Sequence, residues 1–340
     1  MIKRTLAGIL LAGSLGFNSC QNYEKSKTIQ ETQNSSEDTL LKTAGNFYYK
    51  GNYALAKENY SEFLEIKKNL KDRLGIADGF NNLGNVSLEQ GNYNKAVEYY
   101  TNALKIYDKL SDSVSISQTY NNLGLVFAEQ RKFEKALEYF DKSLDIQKKL
   151  NDSLEISKVL NNIGIIFDKQ NKNELALIHY FNSLKIANKI NNKDQEALCY
   201  NNIAVIYNKE GDLDKAFEYY QKSLQLNKEL DNKRDLTLNL MNIGDIYRKK
   251  NNSFQALKNL ESSLNIAKEI NNPDLLKDIY LTFSETYKAK GDFASALKYH
   301  EKFSQLKDTL LNEKSLKQVA ELETIYETEK KENENKKIIA

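Results

Sequence analysis

The sequence predicts an all-α fold, a solenoid of helix pairs stacked side by side. Three observations carry this expectation. The chain holds one proline, no tryptophan and 14 glycines among 340 residues, so long helices meet few breakers. A short motif recurs every 40 residues without a gap, as NNLG at Asn81 and Asn121, NNIG at Asn161, NNIA at Asn201 and MNIG at Met241. Each copy also carries two apolar stripes of helical spacing, parted by a polar break.

The third copy shows the layout. Tyr120, Leu123, Val126 and Phe127 form a first stripe; Gln130, Arg131 and Lys132 break it; Phe133, Ala136, Leu137, Phe140, Leu144 and Leu150 form the second. Ser111 with Asp112, Asn151 with Asp152, and Asn271 with Asn272 offer caps for the next helix, and Pro273 suits a first helical position, where its missing N–H costs nothing. Alanine stands at Ala56, Ala96, Ala136, Ala176, Ala216, Ala256 and Ala296. The last position of the motif is always small: Ala44, Gly84, Gly124, Gly164, Ala204, Gly244 and Ser284. Three residues later comes an aromatic in every copy except the second, which has Ser87. Four residues after the constant alanine comes a second slot, Tyr60, Tyr100, Phe140, Tyr180, Tyr220, Leu260 and His300. Small residues let two helices approach while the large ones fill the space beside the contact, and stacking completes a core that one pair cannot close alone.

On these residues the chain resembles the tetratricopeptide repeat family in its longer form, similar to the repeats of kinesin light chains. Tyr120, Leu123, Gly124, Phe127, Ala136, Phe140 and Ser143 match the family signature, whereas the customary proline near the end of the second helix is absent from every copy. The resemblance implies a right-handed superhelical solenoid of about seven helix pairs over residues 38–312, followed by a charged, capping C-terminal helix over 313–340. It implies a protein or peptide partner held in a concave groove, and it assigns no chemistry, because this scaffold serves many partners.

The first 19 residues have a basic start and an apolar run from Leu6 to Phe17, too short to span a bilayer, and read as a secretory signal. The junction at Cys20 resembles a bacterial lipobox, although Phe17 and Asn18 depart from it. The resemblance implies lipidation of Cys20, a membrane link through that anchor alone, and a place in the cell envelope on the periplasmic face of the outer membrane. An ordinary cleaved signal with an incidental cysteine is the alternative. Residues 20–37 are polar and without apolar periodicity, as in a flexible tether. At the other end, Leu316, Val319, Leu322, Ile325 and Tyr326 can cover one side of a helix. That segment resembles the charged connector behind such repeats in bacterial sensor histidine kinases, which implies a second reading, a detached input module acting with a separate kinase or transcriptional regulator.

Composition and motifs argue against catalysis and nucleic acid. The formal charge is +2, from Lys3 and Arg4, and the remaining 47 basic residues face 47 acidic ones, so no surplus of positive charge favours phosphate. No HExxH, GxGxxG or P-loop occurs, and neither a metal site nor a cofactor is expected. His179, His300 and Cys199 align with packing positions of sister repeats and are expected to fill space.

The amide pairs are the candidate site. The family resemblance implies that the second asparagine of each pair, Asn82, Asn122, Asn162, Asn202 and Asn242, clamps the backbone of a bound peptide, since one amide both donates and accepts. Asn81, Asn121, Asn161 and Asn201 are then left for packing; the alternative is that all of them bond between repeats. Glu89 and Glu129, followed by Lys169, Lys209, Arg248 and Lys249, form a row whose sign changes along the array and could orient a ligand of opposite polarity, or they are simply solvated helix ends.

Overall fold

The computed structural model describes residues 39–312, with 315 and 316. The leader, the tether with Cys20 and the segment from 317 onwards lie outside the described residues. Leu316, expected on the covering side of the last segment, is exposed.

Two compact units divide the chain at Asp152. In the first, the described helices are α1 (39–49), α2 (Tyr53–Asn69), α3 (Arg73–Glu89), α4 (Tyr93–Leu110), α5 (Ser113–Glu129) and α6 (Phe133–Leu150). The second holds α7 (Ser153–Lys169), α8 (Asn173–Lys189), α9 (Lys193–Glu210), α10 (Leu213–Glu229), α11 (Lys233–Lys249), α12 (Ser253–Glu269), α13 (Pro273–Lys290) and α14 (293–312). No strand occurs among the described residues. The fold is an all-α tetratricopeptide-type solenoid: each odd-numbered helix packs against the even-numbered one that follows, and within each unit the next pair stacks on it.

The turns explain the fixed period. Among the described residues one in every twenty from Gly51 to Gly291 is left-handed: nine non-glycine residues, among them Ser111, Arg131, Asn151 and Asn271, and four glycines, Gly51, Gly91, Gly211 and Gly291. The N–H after each reaches back five residues to close the helix end, as from Asp112 to the Tyr107 carbonyl (3.0 Å) and from Asn252 to the Tyr247 carbonyl (2.8 Å). At most of these turns that same residue then caps the next helix with its side chain. The Asp112 carboxylate accepts from the Ser115 N–H at 3.1 Å, and the Asn272 amide oxygen accepts from the Leu275 N–H at 3.1 Å, with Pro273 opening α13 as expected. In the expected cap dipeptides Ser111–Asp112 and Asn271–Asn272, therefore, the first residue ends one helix and the second begins another.

Helix contact follows the repeated small residues. A side-chain carbon added to Gly84, Gly124 or Gly164 would fall 2.5 Å from the ring of Tyr100, Phe140 or Tyr180 on the partner helix. One added to Gly244 would lie 3.2 Å from the carbonyl oxygen of Ala256, one of the constant alanines. The slot residue is then covered by the following pair: Tyr180 packs with Ile203 and Ile206 of α9, and Tyr220 with Ile243 and Ile246 of α11. In three pairs of the second unit a serine one turn on ties the helices together, since the Ser183, Ser223 and Ser263 hydroxyls donate to the carbonyls of Ser157, Ala197 and Thr237 at 2.7, 2.8 and 2.9 Å. His300 departs from its expected role as a packing residue. It is exposed, with its ring 5.6 Å from Phe303, because no described pair follows α14 to close its slot.

Lys132 precedes α6 with the backbone of a capping residue (φ −88°, ψ 68°) but without a side chain that can accept. Asp112 and Asp212 cap from nearly the same geometry. Lys132→Asp is expected to supply the missing acceptor to the N–H of Lys135 and to raise stability by about 0.5–2 kcal/mol, read as a higher urea midpoint at unchanged slope.

Candidate functional site

The asparagine pairs lie on the first helices of successive repeats, and the structure explains why they come in twos. In the second unit, the Asn202 amide on α9 donates to the Asn161 oxygen on α7 at 2.9 Å. In the first unit, Asn122 on α5 points at Asn81 and Asn85 of α3, at 3.5 and 3.3 Å. The separation is 41 residues for both Asn81–Asn122 and Asn161–Asn202. Adjacent first helices are thus staggered by one residue relative to the repeat. In these two cases the second asparagine of one copy meets the first asparagine of the copy before it.

Among the first asparagines, Asn161 and Asn201 are engaged in packing contacts. Asn161 is 2% exposed; the Asn201 oxygen accepts from Asn239 at 3.2 Å, and Asn239 in turn accepts from Asn227 at 2.8 Å, with the Ser223 hydroxyl 3.2 Å from the same oxygen. The second asparagines, however, are not simply solvated. Asn122 and Asn202 are half-buried and each uses its amide nitrogen on the preceding helix. An amide has two N–H groups and an oxygen that accepts, so one bond leaves capacity for another partner. Asn82, Asn162 and Asn242 are also half-buried; Asn82 and Asn242 make no hydrogen bond among the described residues.

Asn85 is a member of this row that the repeat pattern conceals, because sister copies carry Leu125, Ile165, Val205 and Asp245 in its place. Its oxygen accepts from the Tyr100 hydroxyl at 2.7 Å as well as from Asn122. Burial pushes the Tyr100 phenol up, which keeps its proton in place as the donor.

The charged row follows the same stagger. Lys209 pairs with Asp168 at 2.6 Å, and Lys249 reaches the Asn208 oxygen at 2.7 Å, again 41 residues apart. Lys249 also pairs with Asp245 at 3.1 Å, and Arg248 bridges Asp245 at 2.5 Å and Glu285 at 3.3 Å. Glu89 accepts from Tyr48 and Tyr53 at 3.4 and 3.3 Å, while Glu129 and Lys169 stand exposed at the ends of their helices. Asp168, Asp245 and Glu285 therefore offset much of the positive charge expected in the second unit. Pairing each position with the one 41 residues on would have revealed Asp168, whereas Asp245 lies within one turn of Arg248 and Lys249 on their own helix and Glu285 lies 37 residues beyond Arg248.

His179 and Cys199 are engaged in packing. His179 stacks on Phe167 with ring centres 5.2 Å apart, as Tyr139 does on Phe127 (5.3 Å) and Tyr219 on Tyr207 (5.7 Å). Cys199 is fully buried beside the Ser183 hydroxyl (3.1 Å), and burial pushes its thiol up to about 11. Among the described residues, no helix is long and apolar enough to cross a membrane.

Asn202→Ala strands the buried oxygen of Asn161 and is expected to cost about 1–3 kcal/mol in urea unfolding. Asn82→Ala and Asn242→Ala break no internal bond and should each stay within about 0.5 kcal/mol of wild type.

No curated protein matches the chain. Solved structures with the same fold include aspartyl phosphate phosphatase F from Bacillus subtilis, 17% identical over 79% of this chain and 69% of that one, with a TM-score of 0.65. A Rap conjugation gene regulator of the plasmid pLS20, determined in complex with the Phr* peptide, is 18% identical over 80% of this chain and 74% of its own, with a TM-score of 0.60. The apo quorum sensor NprR from B. thuringiensis is 15% identical over 90% and 100%, with a TM-score of 0.55. Tetratricopeptide repeat sequences match residues 35–109, 115–189, 197–230 and 235–307. With these matches spread over more than half of its length, the chain belongs to the tetratricopeptide repeat family.

Proposed function

We propose that the chain is a non-catalytic scaffold that holds a peptide or protein segment against the first helices of its repeats, displayed in the bacterial cell envelope by a lipid on Cys20. The observation that carries the binding role is the row of half-buried amides with unused hydrogen-bonding capacity, above all Asn82 and Asn242. Such groups bond to main chain without reading side chains, so they suit an extended segment, with selectivity left to neighbours such as Glu89, Arg248 and Lys249. The shared fold with a regulator solved around a peptide is in keeping with this. The packing roles of His179 and Cys199 favour binding over catalysis. The envelope placement rests on the basic and apolar leader that ends at Cys20.

A second reading, the input module of a signalling system, draws on the charged segment after residue 312 and on the fold shared with a quorum sensor. The two differ in what the captured segment belongs to.

A photo-reactive residue placed at Asn162 in intact cells should capture a discrete peptide or protein. Capture should fall about tenfold, a loss of about 1.4 kcal/mol, in the double variant Asn82→Ala, Asn242→Ala, which keeps its fold. Capture of a kinase or transcriptional regulator would favour the second reading; capture unchanged in the double variant would remove the amides from the site. Separately, Cys20→Ser should abolish acyl labelling and membrane association or leave the leader uncleaved. Normal processing and unchanged membrane association in that variant, with no acyl label in wild type, would refute the anchor.

A further inference from the structure

The second helix of the fourth repeat, α8, differs from its counterparts on the side away from its own pair. Leu175, Ile178 and Phe181 lie at helical spacing and are 41%, 54% and 37% exposed. No other repeat places an apolar residue at the position of Ile178 or of Phe181. The residues there are Glu58, Glu98, Glu138, Glu218, Lys258 and Lys298, and Ser61, Thr101, Asp141, Gln221, Glu261 and Glu301. In α6 and α10 this face carries an ion pair, Glu138 with Lys142 and Glu218 with Lys222, both at 2.6 Å, and the lysine also covers the ring of Tyr139 or Tyr219 (4.9 Å to each). In α8 the pair is replaced by Ile178 and Asn182, and the covering lysine is gone.

The stripe ends in opposite charges. Glu174 lies one turn before Ile178 and Lys185 one turn after Phe181, both exposed and on the same face, and neither has an ion-pair partner among the described residues. An antiparallel two-fold copy of this helix would set Ile178 opposite Phe181 and Glu174 opposite Lys185, twice over. A face that is negative at one end, apolar in the middle and positive at the other complements itself in this orientation and opposes like charges when parallel. Phe181 meets the edge of Tyr219 on α10, with centres 6.2 Å apart, which extends the apolar patch to a second helix.

We propose that α8 is a homodimerisation surface whose occupant is the α8 of a second copy of this chain. One helix face with a flanking ring falls short of the roughly 1,200–2,000 Å² buried in stable complexes, so the dimer should be concentration-dependent.

Sedimentation velocity of the full chain over a concentration series tests this. Wild type should move from monomer to dimer. A variant carrying the residues of α10 on this face (Leu175→Lys, Ile178→Glu, Phe181→Gln, Asn182→Lys) should stay monomeric with an unchanged melting curve, because sister helices show that this set is compatible with the fold. Glu174→Lys or Lys185→Glu alone should weaken the dimer about tenfold, and the two together should restore it. Wild type that stays monomeric at the highest concentration, or a dimer untouched by the α10 set, would overturn the proposal. Failure of the double charge reversal to restore association would overturn the antiparallel pairing.

Discussion

The repeat length is the constraint on which the rest of this structure depends. One left-handed residue in every twenty, followed at once by the N-cap position of the next helix, holds α2 to α13 at 17 or 18 residues and keeps the pairs within each unit in the same register. Within a unit, a residue at a given position therefore meets the residue one step further on in the next copy. Asn161 with Asn202, Asp168 with Lys209 and Asn208 with Lys249 are all products of that single offset. An insertion of one residue would slide each partner about 1.5 Å along the axis and turn it about a quarter of the way around the helix, breaking all of these bonds together.

Because the offset is one residue beyond the repeat, a hydrogen-bonded ladder between first helices needs two adjacent polar positions in each copy, one to accept and one to donate. The doubled asparagine is the solution found here. This reconciles two roles that seemed to compete. Asn202 braces the stack with one N–H and still presents its remaining groups to solvent, so architecture and recognition can share one side chain. A braced amide is also held in one orientation, which lowers the entropy lost when it binds a partner.

Much of the fold was legible because it repeats. The constant alanine, the small residue and the two large slots pointed to the helix pairs, and Ser111–Asp112, Asn151–Asp152 and Asn271–Asn272 marked turns whose first residue takes the left-handed conformation. What the pattern hid was pairwise and specific to one copy. Asn85 replaces an apolar residue in three sister copies and binds both Tyr100 and Asn122. Asp168 and Glu285 neutralise cations of the neighbouring first helix that looked unopposed when each helix was read alone. His300 was placed correctly in its slot, but burial of that slot depends on a following pair, which alignment by position does not test.

The same reasoning says where function should be sought in a chain of this kind. Residues that recur in every copy answer to the stacking that every copy shares, so their recurrence identifies architecture first. A departure confined to one copy escapes that explanation. His179 for tyrosine is a departure that packing absorbs, since its ring stacks as the tyrosines do. The apolar face of α8 is not absorbed, because it lies outside the pair and gives up an ion pair that its sister helices make. Exposed apolar side chains gain nothing from solvent, and the copies beside them show that polar residues fit the same backbone. Such a face is most economically explained by something that covers it, and its own charge pattern points to a second copy of itself.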